Sequence, residues 1–477
     1  MKTGKYVVVA FMLILTGLVP VAGAAARPFF LKNGDRVCFY GDSITEQRFY
    51  PAEVQTYVLT RFPNLHVRFV DAGVGGDRVT GGWAGPINLR LKRDVFSFKP
   101  DVVTIMLGMN DAGYQPFNQA LFNVYRKGYE HIIAALRKHL PGVRIVVIVP
   151  SPFDDVTFKP GFPLHLPWTH PGTAKRNDSH GGYNDVLLRY GAFVRRLAAR
   201  DHLLCVDFNT PMVDVLKKID KVNKSLARQV IPGRVHPGAA GQMVMALALL
   251  KAWGAPATVT RLSINAALDK VTHAVNTRIT GLKSTGGNLS WTELDGSLPM
   301  PVLGLHENWP QFPIFARYFL PPQPNPKYTN PVAALIDHFS GFTHQLDREM
   351  LTVKALTASR YRLLIDGKSL GEFSARQLAR GVNLSRYFTP MLYQAYQVSN
   401  IVWEEIQTHF VAWHGVQTPL ENFGFNLPVN TENDPAVASG VRRVVQDMDR
   451  IQKAISTREY QADQPRPHHF QLVRVRG

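Results

Sequence analysis

The sequence predicts an α/β protein built on a doubly wound parallel sheet, followed by a second, mostly β unit. From residue 36 to 254, short β-branched runs alternate with amphipathic stretches, the pattern of repeated βα units. Each run is nearly all apolar, as parallel strands covered on both faces require. After residue 256 the pattern changes to polar–apolar alternation with hairpin signals. At 477 residues the chain exceeds one compact core of usual size, so two folded units are expected.

In chain order, residues 1–26 read as a cleaved secretory signal peptide. Lys2 and Lys5 precede an uncharged run from Tyr6 to Leu18, and Ala22-Gly23-Ala24 or Ala24-Ala25-Ala26 supplies the small residues that a signal peptidase needs. The run falls short of the ~20 residues of a membrane span. No later segment is apolar enough to cross a bilayer, so the expected location is secreted or periplasmic. Residues 27–255 form the expected α/β unit. Its strand candidates are Arg36 to Tyr40, His66 to Val70, Val102 to Leu107, Val143 to Val149 and Leu203 to Asp207. Val54, Tyr57 and Val58 mark one helical face, Tyr183 to Ala199 supplies a later helix, and the last helix runs from about Ala239 to Trp253. Gly254 and Pro256 then form a familiar terminator pair.

One connection, residues 151–182, is unusually long and leaves the carboxyl end of the fourth strand, where ligands sit in such sheets. It is a candidate substrate wall or lid. Its His165, His170 and His180 show no tight metal-ligand spacing and read as loop histidines. Residues 256–477 are the expected accessory unit, β-rich with helices. Thr258 to Asn265 and Lys270 to Leu282 look like antiparallel strands, and Tyr361 to Phe373 folds around Asp366-Gly367, a strong hairpin signal. Helical stretches follow near Pro390 to His414 and Pro435 to Ser456, with a terminal strand at His469 to Val475. Residues 304 to 328, dense in aromatics and proline, are either a sugar-stacking surface or a packed loop.

The totals bound the function. A formal charge of +18 suits an anionic polysaccharide or envelope surface, or simply a soluble basic protein. The export signal, with no zinc-finger cysteines and no aromatic RNA-binding signature, argues against nucleic acid. Cys38 and Cys205 alone cannot make a disulfide scaffold. On strands one and five of a doubly wound sheet, three spacings of ~4.8 Å hold them roughly 14 Å apart, so two buried free thiols are expected. Gly73-x-Gly75-Gly76 is not a dinucleotide fingerprint, because Arg78 takes the final glycine position. Thr45 likewise breaks the G-x-S-x-G elbow of α/β-hydrolases.

The chemistry centres on Gly41-Asp42-Ser43. A serine that opens a helix after a strand is commonly a cap, but its downstream companions point elsewhere. Gly75-Gly76-Asp77 follows the second strand, Gly108-Met109-Asn110-Asp111 the third, and Val235-His236-Pro237 precedes the last helix. All four end at the same edge of a parallel sheet. Ser43 needs a base, and His236 is the histidine this topology brings to the first strand's end. An ester carbonyl under attack becomes an oxyanion; the backbone N–H groups of Ser43 and Gly76 and the amide of Asn110 can donate to it.

These blocks resemble the SGNH hydrolases, the GDSL esterase and lipase superfamily. The resemblance rests on Gly41-Asp42-Ser43, Gly76, Gly108-x-Asn110-Asp111 and His236-Pro237, and spans roughly residues 34 to 254. It implies a flavodoxin-like three-layer α/β/α sandwich with a five-stranded parallel sheet, and ester hydrolysis through an acyl-enzyme with no cofactor and no metal. By the same resemblance Ser43 is nucleophile and first oxyanion donor, Gly76 and Asn110 complete the oxyanion hole, His236 is the base, and Asp42 and Asp111 support the motifs. One position departs. The family block reads Asp-x-x-His, whereas this chain has Gly233-Arg234-Val235-His236. Loss of the triad aspartate in a serine protease lowers turnover by about 10⁴. Three readings fit: a Ser-His dyad with a backbone carbonyl or water on the other imidazole nitrogen, an acid from elsewhere such as Asp207, or a binding protein with disabled machinery.

The run Tyr361-Arg362-Leu363-Leu364-Ile365-Asp366-Gly367, with Gly371 to Ala375 and Leu378 to Leu384, resembles an accessory region of some secreted bacterial GDSL-type proteins. It suggests polysaccharide binding or a buttress for the α/β unit. The expected function is therefore a secreted serine esterase for small-molecule or polysaccharide esters, a short-chain carboxylesterase or carbohydrate deacetylase. The alternatives are a catalytically impaired glycan- or envelope-binding protein and a lipase or thioesterase of the same fold, with Phe153, Phe158, Phe162 and Trp168 lining an acyl channel. The sequence carries no sign of oligomeric state.

Overall fold

The structure is a computed structural model describing residues 28–158, 182–301, 331–418 and 435–475. Its first unit is a five-stranded, all-parallel sheet: β1 (Arg36–Gly41), β2 (Arg68–Gly73), β3 (Val102–Met106), β4 (Arg144–Val149) and β5 (Leu204–Asp207). The spatial order is β2-β1-β3-β4-β5, the doubly wound arrangement expected. Every residue of the central β3 is buried, which its unbroken apolar sequence anticipates. The helices are α1 (Ser43–Glu46), α2 (Phe49–Arg61), α3 (Gln119–His139), α4 (Tyr183–Asp201), α5 (Asn209–Val222) and α6 (Ala239–Ala252).

Helix α3 begins where the side chain of Asn118 accepts from the N–H groups of Ala120 and Leu121. Its buried stripe of Tyr125, Tyr129, Ile132, Ile133 and Leu136 follows the helical period. Tyr125 and Tyr129 also donate their hydroxyls to the carbonyls of Leu107 and Ile105, so two buried phenols are satisfied by the β3 segment they cover. Helix α6 ends as the sequence predicts. Gly254, at φ +75°, donates to the Lys251 carbonyl and Ala255 donates to that of Leu250, the paired bonds of a Schellman motif.

The second unit holds two sheets. Strands β6 (Thr258–Asn265), β7 (Lys270–Val275), β10 (Arg348–Lys354) and β13 (Val382–Asn383) form one, in the order β13-β10-β6-β7. Strands β8 (Thr277–Thr285), β9 (Asn288–Asp295), β11 (Arg360–Ile365), β12 (Lys368–Ser374) and β14 (Pro467–Arg474) form the other, in the order β8-β9-β14-β11-β12. The β11–β12 hairpin turns at Asp366 and Gly367, at φ +49° and +76°, the two positive values its Asp-Gly signal demands. One expectation needs correcting. The stretch from Lys270 to Leu282 is not one strand, because Asn276 at φ +55° breaks it into β7 and β8. Strands β6 and β7 pair antiparallel as expected, while β10 runs parallel to β6, which a connection as long as residues 266–347 permits. The longest helices described in the second half are α7 (Pro331–Ser340), α8 (Pro390–Phe410), continued by π-helical turns over Val411–Gln417, and α9 (Pro435–Ala462). Residues 304 to 328 lie outside the described residues.

The two units share α2. The sequence marks one apolar face, yet all of its residues from Phe49 to Arg61 are buried, because the second unit covers the side turned away from the sheet. Phe49, Ala52 and Leu59 join the core that contains Leu351, Trp291 and Trp403, while Val54, Tyr57 and Val58 join the core under the sheet. Polar bonds follow the same route. Gln55 donates to Glu405 at 2.6 Å, the Tyr57 hydroxyl to the Pro256 carbonyl at 2.6 Å, and Arg61 pairs with Asp347 at 3.1 Å. In the other direction, Val332, Ala333 and Ile336 of α7 pack into the first core.

Cys38 is buried and Cys205 half-buried, both as free thiols. The expectation of two fully buried thiols fails for Cys205 because β5 is the edge strand of the sheet.

Because α2 has no exposed face to offer solvent, the two units are expected to unfold together. Calorimetry of the full chain should show one cooperative transition. Two transitions separated by several degrees would contradict the shared core.

Candidate active site

Ser43 sits directly after β1 as the first residue of α1. The cap is its neighbour: the Asp42 carboxylate accepts from the N–H of Ile44 at 3.0 Å. Ser43 is therefore released from the capping role that its sequence position suggests. Its turn is tight. A Cβ at Gly41 would overlap the Thr45 side chain and one at Gly73 the backbone of Glu46, so glycine at both strand ends lets α1 lie directly on β1 and β2. Burial raises Asp42 to about 8 and Asp111 to about 7, with neighbouring carboxylates adding to the effect.

His236 reaches the serine across the sheet edge: its Nε2 lies 2.7 Å from Ser43 Oγ. The histidine is half-buried, and desolvation lowers its pKa to about 4, opposed by the charge of Glu46. At neutral pH the ring is thus uncharged and able to accept a proton. Gln242 on α6 fixes the histidine loop to the serine turn; it accepts from Tyr50 N at 2.9 Å and donates to Gln47 at 2.8 Å and to the Pro237 carbonyl at 3.3 Å. The sequence does not single out Gln242, whose partners Tyr50 and Gln47 lie almost two hundred residues away.

The second block is a turn. Asp77 N–H donates to the Val74 carbonyl at 3.1 Å, and Gly76 occupies the third position at φ +76°. That bond uses the N–H of Asp77, not that of Gly76. The third block is tied to the second: Asn110 donates one amide proton to the Asp77 carbonyl at 3.0 Å and accepts from the Tyr114 hydroxyl at 3.0 Å. The amide plane is fixed while Nδ2 carries a second proton. Asp111 accepts from Val79 N at 2.9 Å. Beneath the turn, Arg90 pairs with Asp77 at 2.8 Å and with Asp94, fully buried, and burial raises Asp77 to about 6. This ion-pair core was not legible in the sequence.

The departure at Gly233 has a backbone cause. Arg234 N–H donates to the Ile231 carbonyl at 3.0 Å, closing a turn with Pro232 second and Gly233, at φ +69°, third. A type II turn places proline and glycine at these positions. A Cβ at 233 would meet nothing within 4 Å, but the positive φ is one that L side chains rarely adopt, so an acid there would strain the turn. The turn is docked instead by Arg234, whose Nε donates to the Asp154 carbonyl at 3.0 Å, whose Nη2 meets Asp155 at 2.6 Å, and whose guanidinium lies 4.4 Å from the Phe153 ring. The start of the long connection therefore packs beside the histidine loop; His165, His170, His180, Phe162 and Trp168 lie outside the described residues. Asp207 is not the substitute acid, because it accepts from Asn209 N and Thr210 N and pairs with Arg195.

Among the described residues, no group of three or more His, Cys, Asp or Glu is arranged to hold a metal, and no helix is long and apolar enough to cross a membrane.

Residues 39–244 match the model of the GDSL-like Lipase/Acylhydrolase family. The chain carries a GDSL-like acylhydrolase domain of the SGNH type. It is a carboxylic ester hydrolase by that family. An acetylxylan esterase of Geobacillus stearothermophilus is 28% identical over 240 residues, covering 46% of this chain and 95% of that protein. The solved structure of a gut microbial diltiazem-metabolizing enzyme covers 93% of this chain and 98% of its own, at 25% identity and a TM-score of 0.73. The second likeness extends through the accessory half of the chain.

If His236 is the base, kcat/KM should fall on an acid limb near pH 4 and stay level over roughly pH 5 to 8, since the ring must be neutral to accept a proton. A pH–rate profile with its limb near the ordinary histidine value would contradict this. The geometry at 233 also predicts that Gly233→Asp brings no gain in kcat.

Proposed function

We propose that this chain is an exported serine esterase that works through an acyl-enzyme and removes short acyl groups, acetyl above all, from carbohydrate or other small esters. The observation that carries the reading is the 2.7 Å contact between Ser43 Oγ and a neutral His236. Ser43 Oγ attacks the ester carbonyl carbon and its proton passes to His236 Nε2. The resulting oxyanion accepts from the N–H groups of Ser43 and Gly76 and the amide of Asn110, donors already fixed before the reaction. The C–O bond to the alcohol breaks, and His236 returns the proton to that leaving oxygen. Water, deprotonated by His236, then attacks the acyl-serine, and the acid departs as Ser43 regains its proton.

The acetyl preference is supported by the likeness to an acetylxylan esterase. The +18 charge favours anionic polysaccharide as the surface on which the enzyme works. Export is supported by the basic and apolar pattern of residues 1–26, which precede the described residues. The neutral imidazole in contact with the serine favours a working dyad over a disabled relic.

Hydrolysis of p-nitrophenyl acetate tests the reading. Wild type should turn over, Ser43→Ala should lose at least about 10³ in kcat, and the octanoate ester should be a poorer substrate than the acetate. Equal rates for wild type and Ser43→Ala would overturn it. Asn110→Ala should lower kcat by about 10² with KM little changed, the signature of a donor that acts in the transition state.

A further inference from the structure

The acid that usually accompanies such a histidine is absent at position 233, and both nearby candidates are committed elsewhere. The Asp207 carboxylate accepts from Asn209 N and Thr210 N, and the Asp154 carboxylate accepts from Val156 N, Thr157 N and the Thr157 hydroxyl of its own turn. A different acid stands beside the nucleophile. Glu46 is the last residue of α1, one turn after Ser43, and its side chain is 11% exposed. A Cβ built on Gly75 would lie 2.8 Å from Glu46 Oε2 and 3.9 Å from Ser43 Cβ, so the carboxylate and the nucleophile flank the same point. Its charge favours the protonated form of His236.

The other oxygen of Glu46 meets the second unit. Oε1 lies 2.7 Å from Nε2 of His414, an ion pair when that ring is protonated although the two do not meet in hydrogen-bond geometry, and His414 rides on the π-helical turns that continue α8. Such turns interrupt helices frequently at functional sites. The His414 ring is held by stacking on Phe410 at 4.4 Å and by the edge of Trp83 at 5.2 Å, and the neighbouring Trp413 donates to Asp94 at 2.6 Å. The titratable and charged groups around Glu46 are Asp42 at the start of its own helix, Asp71 on β2, Arg48 in the turn that follows, Asp77 and Asp111 near Asp42, His236 from the α6 loop and His414 from the second unit.

We propose that Glu46, faced by His414, is the positioning acid that stabilises the imidazolium of His236 during turnover, so that the second unit completes the hydrolytic site. The inference rests on the Ser43–His236 reading above. As Ser43 loses its proton, positive charge develops on the imidazole in a partly desolvated site, where a fixed negative charge acts more strongly than in water. Glu46 touches neither substrate nor reacting atoms; it works through the histidine.

The test uses the full chain with p-nitrophenyl acetate, comparing kcat, KM and the acid limb of the pH profile. Glu46→Gln should lower kcat about tenfold with KM unchanged, and move the acid limb to lower pH because a negative charge near the base is lost. Glu46→Asp should recover part of both effects. His414→Phe keeps an aromatic ring for the Phe410 stack and should lower kcat several-fold, with no further loss in the Glu46→Gln background. Wild-type kcat and acid limb in Glu46→Gln would overturn the proposal, as would equal losses in the Gln and Asp variants with the limb unmoved, which mark packing alone. Should Glu46→Gln fail to fold, His414→Phe decides: a wild-type kcat overturns the proposal. Activity surviving in Ser43→Ala would instead sink the catalytic pair itself, so the two failures are distinguishable.

Discussion

The arrangement depends on one buried cation. Arg48 joins α1 to α2 at φ +66°, fully buried, with its Nε donating to the Glu46 carbonyl at 2.9 Å and Nη1 to Gln407 at 3.1 Å. Its guanidinium lies 3.8 Å from the centre of the Phe410 ring. Acceptors and a ring face stabilise a guanidinium held out of water, and those named here come from both units. The residue that turns the chain away from the nucleophile is thus also the residue that clasps α8. His409, one helix position before Phe410, contacts the Asp71 carbonyl at 3.1 Å, so the clasp extends to β2.

That clasp makes the accessory half part of the surroundings of α2, which has no solvent face. Helix α8 of the second unit lies against the serine turn, and the polar contacts of that unit reach α1, α2 and β2. The missing aspartate is explained by the same kind of local necessity. Position 233 is the third residue of a proline–glycine turn and needs a positive φ, and Arg234 then docks that turn onto Asp154 and Asp155. The loop that carries His236 is held by hydrogen bonds and packing rather than by an acid at the usual place.

Much of this was legible in the sequence because it is local. The five apolar runs, the Gly254 terminator and the Asp366-Gly367 hairpin each encode their geometry within a few residues, and the sheet places them as those signals require. Ser43, Gly76, Asn110 and His236 were legible for another reason: parallel topology sends every strand's carboxyl end to one edge, so order along the chain predicts convergence in space. What escaped is non-local. The contact between Glu46 and His414 and the bond between Arg48 and Gln407 join residues with no shared period, and the full burial of α2 follows from a partner that begins two hundred residues later. Asn276 escaped because one left-handed residue in an otherwise alternating run leaves almost no pattern to read.

Acylation of Ser43 in a site built by both units is tested most directly by the intact and peptide mass of the full chain quenched within the first turnovers of p-nitrophenyl acetate. One acetyl group on the peptide bearing Ser43, absent when quenching follows exhaustion of the ester and absent in Ser43→Ala, is the predicted result. Rapid turnover with the acetyl group on another residue, undiminished in Ser43→Ala, would contradict it.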